Sequence, residues 1–548
     1  MVKVLRALLL CSALLGTAAE VAAQAAHPDR YELYAKLQPE AHALEGRAVI
    51  DFTNRSTQPL SFLVLHLYAN AFANERTVFM RERGETLRNS SLQRRGGIDV
   101  TELRDASGAD LLSQASTALV KDDATQMRVP LPRPLGPGAR ITLSIHFRVR
   151  LPSIVARMGN DDDFFMIAQW FPKLAKLEPD GRFASFPYHG LGEFYADFAD
   201  YELTLELPRR YIVAAPGELI DRENRADGSR VERYVLRNAL DFAFAAYPGF
   251  RCLSQADAAP RIDVCAPRGH LGLARQQGAL LRRGLERLGR ALGPYPHDRL
   301  VLVLPPSSGW GASGMEYPGL IVGWVATPFT ELNPVARIAH DVTSAHELAH
   351  QWFPMLLASD EVSTPVLDEG LAEWLGLDLV RQRYDRALFE RVAGAPLDLY
   401  DLAALRLAGE RPPRSALEPA YRYDADALAS AVYARPAVTL EAVARTWSPA
   451  RLWSALSRYA HINRFGHPAL PALWSAFDSA YWPGFARDTL EPALGAERCD
   501  RFVRALHGCR REPPLPARRL DPATRAQTNR WLSRLLGWAQ ALLTLVGP

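Results

Sequence analysis

The sequence His346-Glu347-Leu348-Ala349-His350 constrains this chain more than any other feature. Asn333 can cap a helix, the proline after it suits a first helical turn, and Pro354 ends the pattern, so the motif is predicted to lie on a helix. Residues four apart share a helix face, so both imidazoles can reach one metal ion while Glu347 faces an open coordination position. Such a motif also arises on polar helices whose histidines are only hydrated or hydrogen-bonded, so the metal interpretation needs a further ligand.

A third ligand is available on the next predicted helix, from Pro365 to Arg381. Glu369 on this helix completes a set of two histidines and one glutamate with an open fourth position, which is the catalytic rather than the structural zinc arrangement. Glu373 lies four residues later on the same helix face; it either accepts a hydrogen bond from a ligating imidazole or is an ordinary exposed charge. Ligand type and the affinity order of divalent metals favour zinc (Zn²⁺), with cobalt or manganese as alternative occupants, and the one set of ligands predicts one ion per chain.

The rest of the chain predicts several domains. Short runs of alternating hydrophobicity, with Gly, Pro and Asn breaks, indicate a β-rich N-terminal domain at residues 27–258. The clearest strand candidates are Ala48–Phe52, Leu60–Leu67, Ile141–Phe147 and Tyr201–Leu207. A helical stretch from His270 to Leu292 and a buried strand from Leu300 to Leu304 then open a mixed α+β domain at 259–486, which becomes mostly helical. A short helical tail is expected at 487–548.

The N-terminus has the pattern of a cleavable signal peptide, residues 1–26. Lys3 and Arg6 precede the apolar run Ala7–Leu15, and small residues surround Ala23-Gln24-Ala25. That run is well short of the roughly 20 residues that span a bilayer, although an uncleaved anchor is the alternative. We therefore expect a secreted or periplasmic protein.

Removal of that segment leaves four cysteines in two close pairs, Cys252 with Cys265 and Cys499 with Cys509. An even number of cysteines is typical of an oxidising compartment, so two local disulfides are expected. The alternative is four reduced, buried thiols.

The charge balance argues against a nucleic-acid partner. The 64 basic and 61 acidic residues leave a net charge of +3, and no concentrated basic run is present. Near the C-terminus, Arg530 to Val546 form an apolar helix candidate that Arg534 interrupts, and the remaining run Leu535 to Val546 is too short to cross a membrane. It is expected to dock on the protein, and a helix on a membrane surface is the alternative.

Three motifs resemble those of one enzyme family. They are His346–Phe353 (HELAHQWF), Glu369–Glu373 (EGLAE) at the family's distance from His350, and Ser313–Tyr317 (SGMEY) upstream in the expected order. Together they are similar to the gluzincin aminopeptidases of the membrane alanyl aminopeptidase type, the family that also includes leukotriene hydrolase. The resemblance implies a saddle-like β-rich domain followed by a thermolysin-like catalytic domain.

The sequence also departs from the family's pattern. Pro354-Met355 stands where Gly-Asn is usual, Asp368 stands where Asn is usual, and the upstream motif keeps only Met and Glu of the family's Gly-Ala-Met-Glu-Asn. None of these changes removes a metal ligand.

The resemblance assigns the upstream motif to substrate binding. Glu316 would pair with the free α-amino group of the peptide, and Gly314 and Met315 would line the same site. The alternative for Glu316 is a structural glutamate at a strand end. A second contact to the amine normally comes from the β-rich domain, where Gln169 and Glu193 are candidates, although aromatic-rich strands like theirs are more often core.

The resemblance also implies an oxyanion-stabilising tyrosine. Tyr433 is the match, followed by Arg435, which keeps the usual positive charge, and Pro436, which replaces the usual glycine. Tyr421 and Tyr423 are its rivals.

These residues together predict a zinc-dependent aminopeptidase. Glu347 would take a proton from zinc-bound water and pass it to the leaving amine, while zinc polarises the scissile carbonyl of a peptide with a free N-terminus. One alternative is an endopeptidase on the same scaffold, which would not need Glu316. Another is a catalytically silent peptide-binding protein, although no ligand or base is missing.

Overall fold

The computed structural model describes residues 29–83, 92–192, 194–328, 334–393, 397–410 and 412–496. The predicted signal peptide, Glu193, Cys499, Cys509 and the apolar helix candidate at 530–546 lie outside these residues. Within the described part, no helix is both long enough and apolar enough to span a membrane.

The N-terminal part is rich in β-structure, as predicted. Its strands are β1 (Asp29–Gln38), β2 (Ala43–Thr53), β3 (Leu60–His66), β4 (Gly97–Asp105), β5 (Gln126–Leu135), β6 (Arg140–Arg150), β7 (Gly159–Asp161), β8 (Phe164–Ile167), β9 (Lys173–Leu174), β10 (Lys176–Leu177), β11 (Phe183–Ala184), β12 (Ala199–Pro208), β13 (Ile212–Ala214), β14 (Glu218–Asn224), β15 (Ser229–Ala239) and β16 (Phe244–Tyr247). The main sheet has the order β14-β15-β12-β1-β2-β6-β4, and smaller sheets have the orders β13-β16-β8-β7, β5-β3-β9 and β10-β11. Alternate residues of β1 are buried and exposed, because one face of the main sheet covers the core. The strands expected from the sequence fall within β2, β3, β6 and β12, apart from the last residue of the second, and helix α1 spans Val78–Arg83.

A five-stranded sheet opens the second half of the molecule, in the order β17-β18-β19-β21-β20. Its strands are β17 (Phe250–Gln255), β18 (Arg261–Pro267), β19 (Arg299–Val303), β20 (Met315–Tyr317) and β21 (Leu320–Val322). The sheet begins at Phe250, ahead of the domain boundary expected at residue 259. A disulfide joins Cys252 to Cys265 at paired positions of β17 and β18, which confirms the first of the two expected bridges.

This sheet is covered on both faces. Val301 and Val303 belong to the core of the β-rich part, whereas Leu300 and Leu302 belong to the core formed with the helices. The same alternation applies to the edge strand β20, where Met315 and Tyr317 join the β-rich core. Because successive side chains of a strand point to opposite faces, the residue between them, Glu316, lies on the face that carries the helices.

Helices complete the second half. They are α2 (Leu271–Leu292), α3 (Pro334–Ala349), α4 (Glu369–Val380), α5 (Arg386–Ala393), α6 (Leu399–Gly409), α7 (Ala425–Leu428), α8 (Arg435–Trp447), α9 (Pro449–Ile462), α10 (Leu470–Ala480) and α11 (Glu491–Leu494). The predicted helices at 270–292 and after Asn333 are confirmed. The predicted start of the next helix at Pro365 is wrong: Pro365–Leu367 form a separate 3₁₀ turn, and the backbone of Asp368 (φ −101°, ψ −82°) is not helical, so α4 begins at Glu369.

Helices α3 and α4 pack closely at the predicted metal motif. A Cβ atom added to Gly376 of α4 would lie 2.9 Å from the backbone nitrogen of His346 on α3. Real Cβ atoms do not approach backbone so closely, so glycine at this position lets the two helices meet. The approach brings Glu369 to the two histidines.

Candidate active site

Three predicted ligands converge between α3 and α4. The Nε2 atoms of His346 and His350 are 2.9 Å apart, and Glu369 Oε2 lies 3.0 Å from the first and 3.3 Å from the second. His350 is almost fully buried, and the other two side chains are only slightly exposed. The three atoms therefore form one small triangle that faces a common point.

The size of this triangle fits zinc. A tetrahedral zinc ion with ligands at about 2.0–2.1 Å separates neighbouring ligand atoms by about 3.3 Å. The observed separations of 2.9–3.3 Å are close to that value. Two imidazoles and one carboxylate are also the donor set of catalytic zinc, so the residues fit the ion.

Each imidazole turns its other nitrogen toward an oxygen atom. His346 Nδ1 lies 3.1 Å from Glu373 Oε2, in the position that the sequence suggested for Glu373. His350 Nδ1 lies 2.8 Å from the carbonyl oxygen of Phe353 and 2.6 Å from Asp368 Oδ1. In the sequence, Asp368 is marked only by its departure from the family's pattern, and its position directly before Glu369 is the signal that could identify it as a partner of the site.

The electrostatics of the site favour a cation. Burial by itself lowers the pKa of His346, but its hydrogen bonds to Glu369 and Glu373 outweigh burial and raise that pKa to about 10. Burial likewise opposes the charge on His350, and Asp368 and Glu369 outweigh it, so the pKa of His350 is also raised well above its ordinary value. Acidic side chains thus surround the two imidazoles, and a bound divalent cation would neutralise the negative potential that they create.

Glu347, the residue predicted as the general base, lies beside the triangle. It is 4% exposed. Carboxylate oxygens of Glu347 and Glu316 and a ring nitrogen of His350 all lie within 4.8 Å of one another. The backbone of Gly314 (φ 68°) lies next to Glu347, since a Cβ atom built on this glycine would be 3.6 Å from Glu347 Oε1. Gly314 therefore lies at the predicted site.

Tyr433 also lies at the metal triangle. Its ring stacks on the ring of His346, with centroids 5.7 Å apart and an interplanar angle of 18°. It occupies a π-helical turn, Ala429–Ala434, a local distortion that is frequent at functional sites. The rivals lie elsewhere: Tyr421 is exposed and stacks on His189, and the Tyr423 hydroxyl donates to a backbone carbonyl of its own segment.

Glu316 lines a cavity at the seam between the β-rich part and the helices. The carboxylate-bearing side chain is 5% exposed and stands on the edge strand β20. Met315, predicted beside it, also borders the cavity but packs mainly in the β-rich core. The polar and aromatic residues around this cavity are Gln169, Lys173, Phe194, Asp241, Glu316, Tyr317 and Glu361.

A buried polar cluster forms one wall of the cavity. Lys173 Nζ lies 3.0 Å from Asp241 Oδ2, both side chains being about 5% exposed, and Gln169 donates its side-chain N–H to the same carboxylate oxygen. Glu361 accepts a hydrogen bond from the backbone of Phe194, 3.2 Å away. Gln169 was a candidate from the sequence, whereas Lys173, Asp241 and Glu361 were not, because no motif marks residues that only the fold brings together.

Comparisons with known proteins bear on this architecture. No protein-family profile matches the sequence. A curated relative, Aminopeptidase M1-C of Oryza sativa subsp. japonica, is 38% identical over 85 residues, which is 15% of this chain and only 10% of that protein's length. A mutant M1 zinc metallopeptidase from Deinococcus radiodurans, solved with a Tyr-Ser-Ala substrate, matches with a TM-score of 0.58 and 19% identity over 89% of this chain and 96% of its own. A two-domain M1 zinc metallopeptidase bound to L-arginine matches with a TM-score of 0.57 and 18% identity over 85% of this chain and 94% of its own.

This chain has the M1 zinc metallopeptidase fold. The predicted architecture, a β-rich N-terminal part followed by an α+β part, is thereby confirmed. Within the M1 fold, the metal triangle lies between α3 and α4 and the Glu316 cavity lies at the seam with the β-rich part.

Proposed function

We propose that this protein is a zinc-dependent aminopeptidase that removes single residues from the N-termini of peptides. One observation carries the proposal: two imidazole nitrogens and a carboxylate oxygen form a zinc-sized triangle, with Glu347 and Glu316 directly beside it. We assign one zinc ion per chain to this triangle, which lies within the described residues. The M1 structures of similar fold, one of them bound to a tripeptide substrate, support peptides as the substrate class.

The residues divide the chemistry among them. When bound, zinc supplies Lewis acidity that activates water and polarises the scissile carbonyl. Glu347 takes the proton of the attacking water and later gives it to the leaving amine, for which its position beside His350 is suited. Tyr433, held against the His346 ring, donates a hydrogen bond to the oxygen that becomes negative. His346, His350 and Glu369 hold the ion.

Glu316 is the residue that favours an aminopeptidase over an endopeptidase. Its carboxylate lies within 4.8 Å of the Glu347 carboxylate. A peptide whose N-terminus pairs with Glu316 would therefore place its first peptide bond beside the water that Glu347 is proposed to activate. A buried carboxylate at that distance pairs with a cationic N-terminus and positions the first peptide bond for attack. An endopeptidase would have no use for such a charge next to the scissile bond, and a silent binding protein would not need Glu347.

The sequence supports a secreted or periplasmic location, through the signal-peptide pattern at 1–26 and the Cys252–Cys265 disulfide. Fractionation of cells that express the full chain tests this proposal. Mature protein in the periplasm or medium, with a new N-terminus near residue 26, is expected, and uncleaved protein in the cytoplasm would contradict it.

Matched substrates test the activity itself. Each aminoacyl fluorogenic amide is assayed with a free and with an acetylated N-terminus, before and after treatment with a chelator. We expect hydrolysis of the free form only, loss on chelation, and recovery with one equivalent of zinc. Equal cleavage of both forms would favour the endopeptidase, and full activity in protein shown by elemental analysis to lack metal would end the metallopeptidase proposal.

A further inference from the structure

Asp368 occupies a position where an aspartate side chain usually caps a helix. It is the residue directly before α4, at the N-cap, where an aspartate normally accepts a hydrogen bond from a free backbone N–H of the first turn. Here the side chain makes no such bond. The residue is also completely buried, and burial of a carboxylate is costly unless a hydrogen bond or a positive charge compensates it.

The carboxylate is turned to His350 instead. Asp368 Oδ1 lies 2.6 Å from His350 Nδ1, and the Phe353 carbonyl oxygen lies 2.8 Å from the same nitrogen. The Phe353 carbonyl oxygen can only accept a hydrogen bond, so Nδ1 carries the proton, and the adjacent Asp368 carboxylate stabilises that N–H electrostatically. Nε2 of His350 then keeps its lone pair, and this is the nitrogen that faces His346 and Glu369 across the metal triangle.

The two imidazoles differ in how well their partners are shielded from water. The Glu373 carboxylate lies 3.1 Å from His346 Nδ1, and its side chain is 21% exposed. The Asp368 carboxylate is closer to His350, at 2.6 Å, and its side chain is 1% exposed. A charge–dipole interaction strengthens as distance and solvent exposure fall, so the contact at His350 is the stronger of the two.

Chain connectivity also couples Asp368 to the metal ligands. Asp368 and Glu369 are consecutive, so one turn of backbone carries both a metal ligand and the partner of another ligand. The turn is held by backbone hydrogen bonds from Asp368 to Pro365 and from Ala372 to Asp368. The position of Glu369 and the orientation of the His350 ring are therefore fixed together.

We infer that Asp368 is a positioning residue for the metal centre, which fixes the tautomer and orientation of His350 and contributes more to zinc affinity than Glu373 does. The inference rests on the proposed function in so far as the ion is zinc. It concerns affinity for the metal and not a step of peptide hydrolysis.

Zinc affinity of the mature full chain tests the inference, by competition with a chromophoric chelator after the metal has been stripped. Asp368→Ala removes the acceptor and the charge, and it should weaken zinc binding by about 10- to 100-fold. Asp368→Asn keeps an acceptor oxygen and should weaken it less. Glu373→Gln should have a smaller effect than Asp368→Ala.

Asp378→Asn is the matched control, because Asp378 is a buried aspartate within α4 that pairs with Arg287 and Arg381 and not with an imidazole of the metal triangle. It should leave zinc affinity unchanged. The melting temperature of each metal-free variant separates a structural effect from a metal effect.

If Asp368→Ala does not fold, Asp368→Asn carries the test. Zinc affinity within twofold of the wild type in the Asp368 variants, or a larger loss in Glu373→Gln, would overturn the inference. Failure of the wild-type protein to bind one zinc ion would instead overturn the proposed function.

Discussion

The metal triangle and the Glu316 cavity are neighbours, but they are built in different ways. The triangle comes from two successive helices, α3 and α4, and its ligands His346, His350 and Glu369 lie within 24 residues of sequence. The cavity takes Gln169 from the β-rich part, Glu316 from an edge strand and other side chains from further segments of the chain.

From this difference we expect the triangle to govern the chemical step and the cavity to govern which substrates are accepted. The triangle needs fixed distances, which two packed helices provide with little dependence on the rest of the fold. The cavity has a shape and charge that depend on how the β-rich part docks on the catalytic sheet. Substitutions in the triangle should therefore affect all substrates equally, whereas substitutions in the cavity should discriminate among them.

Glu347→Gln should have the largest effect. An amide cannot accept the proton of water, so kcat should fall on the order of 10⁴-fold for every substrate while the metal content stays at that of the wild type. Steady-state kinetics with elemental analysis of the same sample measures both. A variant that turns over at near the wild-type rate would show that another group is the base.

Tyr433→Phe should have the next largest effect. The ring can still stack on His346, and only the hydroxyl that we propose to stabilise the oxyanion is lost, so kcat should fall by about 10²- to 10³-fold with little change in KM. Tyr421→Phe and Tyr423→Phe are matched controls in the same region and should leave kcat nearly unchanged. A loss in either control equal to that of Tyr433→Phe would remove Tyr433 from its assigned role.

Glu316→Ala should reduce activity selectively. For peptides with a free N-terminus, kcat/KM should fall by about 2 to 4 kcal/mol of transition-state binding, on the order of 30- to 1000-fold. Acetylated substrates should be poor in both proteins, and zinc should be retained because Glu316 is outside the ligand triangle. Equal losses on free and acetylated substrates, with zinc retained, would make Glu316 structural and would remove the contrast between the two regions.

The smallest expected effect is a loss of stability against unfolding at acidic pH. It compares the β-rich part with the helical part directly. Burial, with the nearby charge of Lys173, lowers the pKa of His66 in the β-rich part to about 3, and burial lowers that of His340 on α3 to about 4. Both histidines titrate near 6.5 when unfolded, so between these values the unfolded chain binds more protons. Their stabilising contribution is present above pH 6.5 and is lost as the pH falls toward 4, by about 1.4 kcal/mol per pH unit for each group.

Urea unfolding at pH 7 and pH 5 measures this slope. His66→Leu and His340→Leu should each flatten it, and replacement of the exposed His461 by Gln should not. If both variants flatten the same transition, the two regions unfold as one cooperative unit. If each flattens a different transition, they unfold separately, and the docking that forms the cavity is the weaker contact.

Some of the site could be read from local sequence, and some could not. Helical spacing places His346 and His350 on one face wherever the helix lies, and Tyr433 was identified by its motif. The start of α4 was missed because Pro365 suits either a helix or a 3₁₀ turn, and only the backbone of Asp368 decides between them. Met315 shares a motif with Glu316, but strand alternation turns the two side chains to opposite faces.

The sequence by itself determined the general order of the β-rich and α+β parts and was enough to predict the proposed zinc ligands and the proposed base, because spacing and periodicity are properties of neighbouring residues. Only the tertiary structure decided that Asp368 contacts His350, that Lys173 and Asp241 form a buried pair, and that Glu361 joins Glu316 at one cavity. These contacts join residues distant in the chain, and burial gives them their strength, because a charge removed from water interacts strongly with the few groups around it.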